Sequence, residues 1–368
     1  MWKFVCYILF CVGITACNSV KEDRSASMMI DWDNMEYGDL VLDEIEYIPL
    51  ETVDLSLLGR IDKILYRKNQ FYVLDKKTAG VYVFDKAGRF LSSIQKKGEA
   101  PDEYIELMDM DVDDEGNVYV ADNARMNILR YESPGWELKE KYYVGNHFYE
   151  FACLDNRAFV LKDVFDANGL KCKLAYYDSH NKSQMTILEN TLSGVNELDI
   201  LKCAKYGLYR SGTDLFYNER FTPYVYSISN NGKLSCEYTV ASDKYASETD
   251  LKPLEGNPMK FLQERSLVKD IVSLYATDDY FVCMPFIAPS ATVLFVPKQC
   301  PSQSKKIDLS KISSIVGSSG VEGVVENKLL FVLNQLDDDI KSKNINLREV
   351  NEDSNPVLVL CGVKSVNG

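Results

Sequence analysis

Acidic side chains carry most of the chemistry this sequence could perform. Asp111, Asp113, Glu115, Gly116 and Asp122 fall at positions 1, 3, 5, 6 and 12 of a calcium loop of the EF-hand type, in which alternate oxygens converge on one ion. Position 12 of such a loop is a bidentate glutamate, however, and here it is an aspartate. Met108, Met110 and Val112 also alternate with Asp109, Asp111 and Asp113, which is strand periodicity with one polar face. "DDEGN" then reads as a hairpin turn on a solvated edge, and no metal site is assigned. A second acidic set, Asp75, Asp122 and Glu219, shares one position of an internal repeat, just past a strand end. Three acids in a ring could hold a cation or a polar ligand, but acids at such positions also fix turns by accepting backbone N–H groups.

Other reactive groups converge less. The two histidines, His147 and His180, lie in loop-like surroundings and form no metal pair or triad. There is no G-x-S-x-G, P-loop, H-E-x-x-H or dinucleotide fingerprint. Neither a catalytic residue nor a cofactor is assigned.

The elements that must position these residues repeat. "ILYRKNQFYVLDKKTAGVYVFDKAGRFLSSI", residues 64–94, alternates apolar, β-prone runs with turn-forming breaks. Asp75 closing "FYVLD" and Asp122 closing "VYVAD" are 47 residues apart, and Val81, Phe84, Gly88 and Leu91 map at that offset onto Ile128, Tyr131, Gly135 and Leu138. A copy 144 residues on pairs Val81 with Val225, Gly88 with Gly232 and Asp75 with Glu219. Periods of roughly 40–50 residues with four short strands each are the signature of propeller blades. The fold expected is all-β: a six-bladed β-propeller of four-stranded antiparallel blades, with seven as the alternative. The blades are expected near 58–94, 98–142, 144–188, 206–240, 268–307 and 320–363. The lone strand pattern "EIEYIPLE", residues 44–51, is expected to join the last blade and close the ring.

Several stretches of the first two repeats carry a resemblance. "EYIPLET", "LGRIDKIL", "FYVLD" and "VYVFDKAGRFL" are followed by Gly98-x-x-Pro101-x-Glu103-Tyr104. The chain resembles the six-bladed β-propeller lipoproteins common in Bacteroidetes, relatives of NHL-repeat propellers. Ala100 and Asp102 depart from the family's linker, which is usually richer in glycine and proline. The resemblance implies the fold and an export route, and little about function. Glu103 and Tyr104 join the candidate ligand-binding residues Asp75, Asp122 and Glu219.

Residues 1–16 carry one lysine, an apolar run from Phe4 to Ile14 and then "ITAC", a signal peptide too short to span a bilayer comfortably. Ile14-Thr15-Ala16-Cys17 resembles a lipobox, in which Cys17 is lipidated. The expected organisation is a signal peptide over 1–16, a lipidated N-terminus and polar tether over 17–43, and a propeller over 44–368. Asn18 after the cysteine resembles lipoproteins sent to the outer membrane, so a cell-envelope location is expected, with membrane contact through the lipid alone.

The net charge of −14 argues against nucleic acid, whose phosphates need a basic face. Seven of the ten cysteines remain once Cys6, Cys11 and Cys17 are set aside. They show no metal spacing and read mostly as free, buried thiols. Tyrosine, 23 in all, suits sugar stacking or the filling of space between blades. Residues 241–266 break the β pattern, with Pro258 able to open a short helix.

The reading favoured by these observations is a non-enzymatic binding or scaffolding protein for a protein or glycan partner in the cell envelope. A glycan- or metabolite-active enzyme with a carboxylate or metal centre at the channel mouth is the alternative, and a ligand sensor acting on a membrane partner is a third.

Overall fold

The structure, a computed structural model, describes residues 28–155, 157–190, 207–246, 264–268, 270–285, 292–317, 320–336 and 338–367. Cys17, the leader, Cys203 and Pro258 lie outside these residues.

Strands dominate what is described. The N-terminal pair is β1 (Met28–Asp31) and β2 (Tyr37–Pro49). The first repeat comprises β3 (Lys63–Arg67), β4 (Gln70–Asp75), β5 (Gly80–Asp85) and β6 (Phe90–Ile94). The second comprises β7 (Leu107–Val112), β8 (Val118–Asp122), β9 (Asn127–Glu132) and β10 (Glu137–Tyr143). Next come β11 (His147–Asp155), β12 (Ala158–Asp166), β13 (Gly169–Asp178) and β14 (Ser183–Glu189). They are followed by β15 (Leu208–Ser211), β16 (Asp214–Asn218), β17 (Tyr224–Ile228) and β18 (Leu234–Ala241). After these come β19 (Ile271–Ala276), β20 (Tyr280–Pro285), β21 (Thr292–Pro297) and β22 (Lys305–Asp308). The last are β23 (Gly323–Val325), β24 (Lys328–Leu333) and β25 (Val357–Asn367).

Within each repeat, successive strands pair antiparallel, giving four-stranded sheets β3–β6, β7–β10 and β11–β14 and a sheet β15–β18 that gains β1 as a fifth strand. These sheets fall on the expected spans. The fifth and sixth spans instead share one eight-stranded sheet, ordered β19-β20-β21-β22-β2-β25-β24-β23. The reason is β2: it pairs parallel with β22 at Tyr37 and Gly38, then antiparallel with β25 from Asp39 to Pro49.

The strand expected at 44–51 does close the structure, and it starts earlier, at Tyr37. Residues 28–43, read from sequence as tether, are largely β-strand. β1 lies parallel to β18 and puts Ile30 and Trp32 into the core beside Phe216, Val225 and Tyr238. Alternation explains this: Ile30, Trp32 and Leu40 are buried among exposed Met29, Asp31 and Asp39, a half-buried strand pattern hidden in a polar stretch. Covering the outer edges of neighbouring sheets with one strap also removes edges open to aggregation.

The continuous apolar runs follow from burial on both faces. In "FYVL", Tyr72 and Leu74 pack on Leu107, Met110 and Val118 of the next sheet, while Phe71 and Val73 pack on Leu330, Leu358 and Leu360 of the last. Tyr119 and Ile128 meet Phe148, Phe151 and Phe159. Val160 and Leu174 meet Leu215 and Tyr217. Phe216 and Tyr238 meet Leu274 and Val296, and Val293 and Phe295 meet Phe331 and Val359. Each sheet is thus wedged between two others in a propeller-like ring, with each fully buried large side chain contributing roughly 1.5–3 kcal/mol. Tyr72, Tyr104, Tyr119, Tyr131, Tyr217, Tyr226 and Tyr238 are among the largest fully buried side chains; these tyrosines fill space rather than offer sugar platforms.

The repeat glycines serve close approaches. Gly88 has φ +83°, and a Cβ there would sit 2.3 Å from the Pro49 carbonyl oxygen at the end of β2; Gly232, its copy, has φ +76° and abuts Tyr176. In the charged stretch of residues 338–354, Ile340 and Leu347 enter the core.

Candidate functional site

The strands that open the repeats, β3, β7, β11, β15, β19 and β23, line one central cavity of about 70 Å³. Its wall is a circuit of polar contacts between sheets. Lys63 on β3 reaches both carboxylate oxygens of Asp109 on β7, at 3.0 and 3.1 Å. Asp109 in turn accepts from Phe151 N on β11 at 3.0 Å, and Asp111 accepts from Cys153 N at 2.7 Å. Glu150 on β11 accepts from Gly207 N at 2.8 Å and from Leu208 N of β15 at 3.0 Å. Ser211 exchanges hydrogen bonds with Ala276 of β19, donating at 2.6 Å and accepting at 3.0 Å. Tyr275 donates to the Glu322 carbonyl beside β23 at 2.7 Å. Finally Tyr66 of β3 donates to Glu326, after β23, at 3.1 Å.

Two arginines cross the cavity. Arg210 Nη2 lies 3.1 Å from Asp111 Oδ2 and also donates to the Cys153 carbonyl. Arg67 Nη1 donates to the Tyr66 carbonyl at 2.8 Å, and Nη2 reaches over to the Gly212 carbonyl at 3.2 Å. The channel is therefore largely plugged by its own side chains. Burial pushes the Asp111 carboxyl up, but Arg210 and Lys63 beside it hold it below the usual carboxylate range.

A second buried charge cluster lies between β12, β13 and the turn after β16. Lys162 stands 2.9 Å from Asp163 and 3.5 Å from Glu150. Arg220 donates to Asp163. Lys173 meets Glu219 at 2.7 Å. Burial raises the Glu150 carboxyl, whereas Arg220 and Lys162 overcome burial at Asp163 and lower it.

The predicted site residues occupy distinct places. Asp75 is fully buried; it accepts from Gly59 N at 2.6 Å, Arg60 N at 3.3 Å, Lys77 N at 2.9 Å and Thr78 N at 3.2 Å. Asp122, also buried, accepts from Glu106 N at 3.1 Å and has Arg125 at 3.7 Å. Gly59 and Glu106 each precede their aspartate by 16 residues, so the repeat preserves one tie. Glu219 spends one oxygen on Lys173 instead. Tyr104 is fully buried, with its hydroxyl on the Ala79 carbonyl at 2.7 Å and the Ile94 carbonyl at 3.1 Å; burial pushes the phenol up to about 12. Glu103 accepts from Ala100 N at 2.8 Å and crowds Gly98, where a Cβ would lie 2.0 Å from Oε2. The Gly98-to-Tyr104 motif thus folds the crossing between two sheets.

The acidic loop does not converge on one point. Asp113 accepts from Glu115 N at 3.0 Å and Asn117 N at 2.8 Å, shaping the β7–β8 turn, while Asp111 faces Arg210. The polar face of β7 turns inward: Asp109 and Asp111 are 0% and 3% exposed, because Lys63 and Arg210 meet them inside the ring. Among the described residues no group of three His, Cys, Asp or Glu side chains is placed to hold a metal ion. His147 Nδ1 lies 3.0 Å from the Asn123 carbonyl, and His180 caps a turn through its backbone. Cys153, Cys172, Cys236, Cys283 and Cys361 are buried thiols outside any disulfide among the described residues, and Cys300 is partly exposed. Sequence reasoning missed Lys63, Arg67, Arg210, Lys162 and Arg220. Charges inside otherwise apolar strands, as in "LMDMDV" and "AFVLKDV", were the available signal.

No curated protein matches the chain. Among solved structures it is similar to an exported protein of Bacteroides fragilis, at 16% identity and a TM-score of 0.72, over 92% of this chain and 100% of that one. It is also similar to a member of the DUF4221 family from Bacteroides vulgatus, at 14% identity and a TM-score of 0.54, over 91% and 100% of the two chains. These likenesses concern the fold. No helix among the described residues is long and apolar enough to cross a membrane. The family model for a domain of unknown function, DUF4934, matches residues 33–362, and the chain belongs to that family.

Proposed function

We propose that this chain is an exported, lipid-anchored propeller that binds or scaffolds a protein or glycan partner in the cell envelope without catalysing a reaction. In this reading the ring has six blades, the eight-stranded sheet being two of them stitched by β2. Cys17 carries the lipid at the outer membrane. Asp75, Asp122, Glu219, Glu103 and Tyr104 shape the turns from which partner-facing loops spring.

The observation that carries the reading is the closed channel. A cavity of about 70 Å³ is far below the roughly 300–1,000 Å³ of pockets that take small-molecule substrates. The acids on its wall are matched by cations or backbone N–H groups, leaving recognition to the outer faces of the ring. The similar Bacteroides fragilis protein is described as exported, which is in keeping with the proposed route.

The test is crosslinking in intact native cells followed by affinity capture, comparing wild type with Cys17→Ala. A defined protein or glycan captured with the membrane-bound wild type, and a Cys17→Ala chain released from the membrane, is the expected result. A Cys17→Ala chain that stays membrane-bound would overturn the anchor. Turnover of a glycan by the purified ring would overturn the non-enzymatic assignment.

A further inference from the structure

Arg67 brings to the channel a cation that the protein does not fully answer. Among the described residues its two Nη groups bond to the backbone carbonyls of Tyr66 and Gly212, which are dipoles without net charge. The Asp114 carboxylate stands 3.9 Å from Nε on a side chain that is 96% exposed, whereas the Arg67 side chain is 18% exposed. Nε itself is buried and meets no hydrogen-bond acceptor among the described residues. Asp111 lies nearby, but its Oδ2 already receives Arg210 and Cys153 N. Burial, reinforced by the charge of Arg210, pulls the Arg67 guanidinium below the ordinary arginine range against the opposing effect of Asp111 and Asp114.

A buried donor without an acceptor calls for an explanation, and an unseen water or ion is the usual one. Arg67 lines a cavity shared with Arg210 and Ser273. Planar guanidinium groups match the oxygens of carboxylates and phosphates. A volume of about 70 Å³ admits such a group with a few waters and excludes a sugar or a nucleotide. The site is also shielded, so bulk salt screens it weakly.

We propose that the channel binds a small oxyanion, a carboxylate or a free phosphate, between Arg67 and Arg210. The inference goes beyond partner binding on the outer faces and stands without it. The experiment is calorimetric titration of the purified full chain with inorganic phosphate and, separately, with acetate. Wild type is expected to bind at least one of them saturably at one site, and the arm that binds names the class. Arg67→Gln is expected to weaken that binding roughly ten- to hundredfold, the loss of a charge-assisted hydrogen-bonded pair. Asp114→Asn, which removes the exposed competing acid, is expected to bind as well or more tightly. If Arg67→Gln fails to fold, Arg67→Lys keeps the charge but loses the fork, and is expected to weaken binding as well. No saturable binding of either anion to wild type, meaning a cavity that holds water alone, would overturn the proposal. So would undiminished binding by a folded Arg67 variant.

Discussion

Replacing Glu219 by alanine isolates one inter-sheet ion pair and asks what it contributes. Lys173 and Glu219 have side chains 4% and 2% exposed and meet at 2.7 Å. At an effective dielectric constant of about 20, two unit charges at that separation attract by roughly 6 kcal/mol. Withdrawing each ion from water costs several kcal/mol, so the intact pair is close to neutral for stability. Its loss is not. Glu219→Ala leaves a buried ammonium without its carboxylate and should destabilise the fold by about 3–5 kcal/mol. The pair Glu219→Leu with Lys173→Met fills similar volume without charge, and should return stability to within about 1 kcal/mol of wild type. Guanidinium denaturation followed by tryptophan fluorescence reads both. A single variant costing less than about 1 kcal/mol, or a double variant as costly as the single, would refute the reasoning. The same pair of variants tests Glu219 as a ligand: full partner binding by a folded double variant assigns it to the fold.

Three further outcomes are expected. Asp75→Ala deprives the N–H groups of Gly59 and Arg60 of their acceptor and should cost about 2–4 kcal/mol, with Asp75→Asn losing about half as much, read by the same denaturation. Stability should fall on acidification: the carboxyls of Asp111 and Asp163 are lowered in the folded state, so their contribution is present above the unfolded aspartate value near 4 and disappears as pH drops through the lower folded values. Glu150, raised by burial, acts oppositely above its unfolded value, so Asp163→Asn should flatten the acid limb of a stability–pH curve while Glu150→Gln should not. Trp32→Ala should cost about 3–5 kcal/mol in a thermal or chemical melt, since a residue read from sequence as tether is 6% exposed in the core.

How much was legible in advance depended on how local the signal was. The run "FYVLD" and its copy "VYVAD" disclosed strands covered on both faces, since only such strands are apolar without alternation. Gly88 and Gly232 disclosed turns, since each needs positive φ. Asp75 and Asp122 disclosed a shared position and one use for it, the acceptance of backbone N–H groups; the particular tie to Gly59 and Glu106 became visible only once the chain before each repeat was seen folded against its turn. β1 escaped because four residues of alternation in a polar segment barely exceed chance.

Sequence alone determined the all-β class, the repeat length and the family resemblance, because strand periodicity and turn chemistry act between residues a few positions apart. The tertiary structure decided which charges meet. Asp111 and Arg210 are 99 residues apart, and Arg67 and Gly212 are 145 apart; no local pattern couples them. Their meeting in a low-dielectric cavity turns ordinary surface residue types into a closed channel, since partners are chosen there by the geometry of the ring rather than by position along the chain.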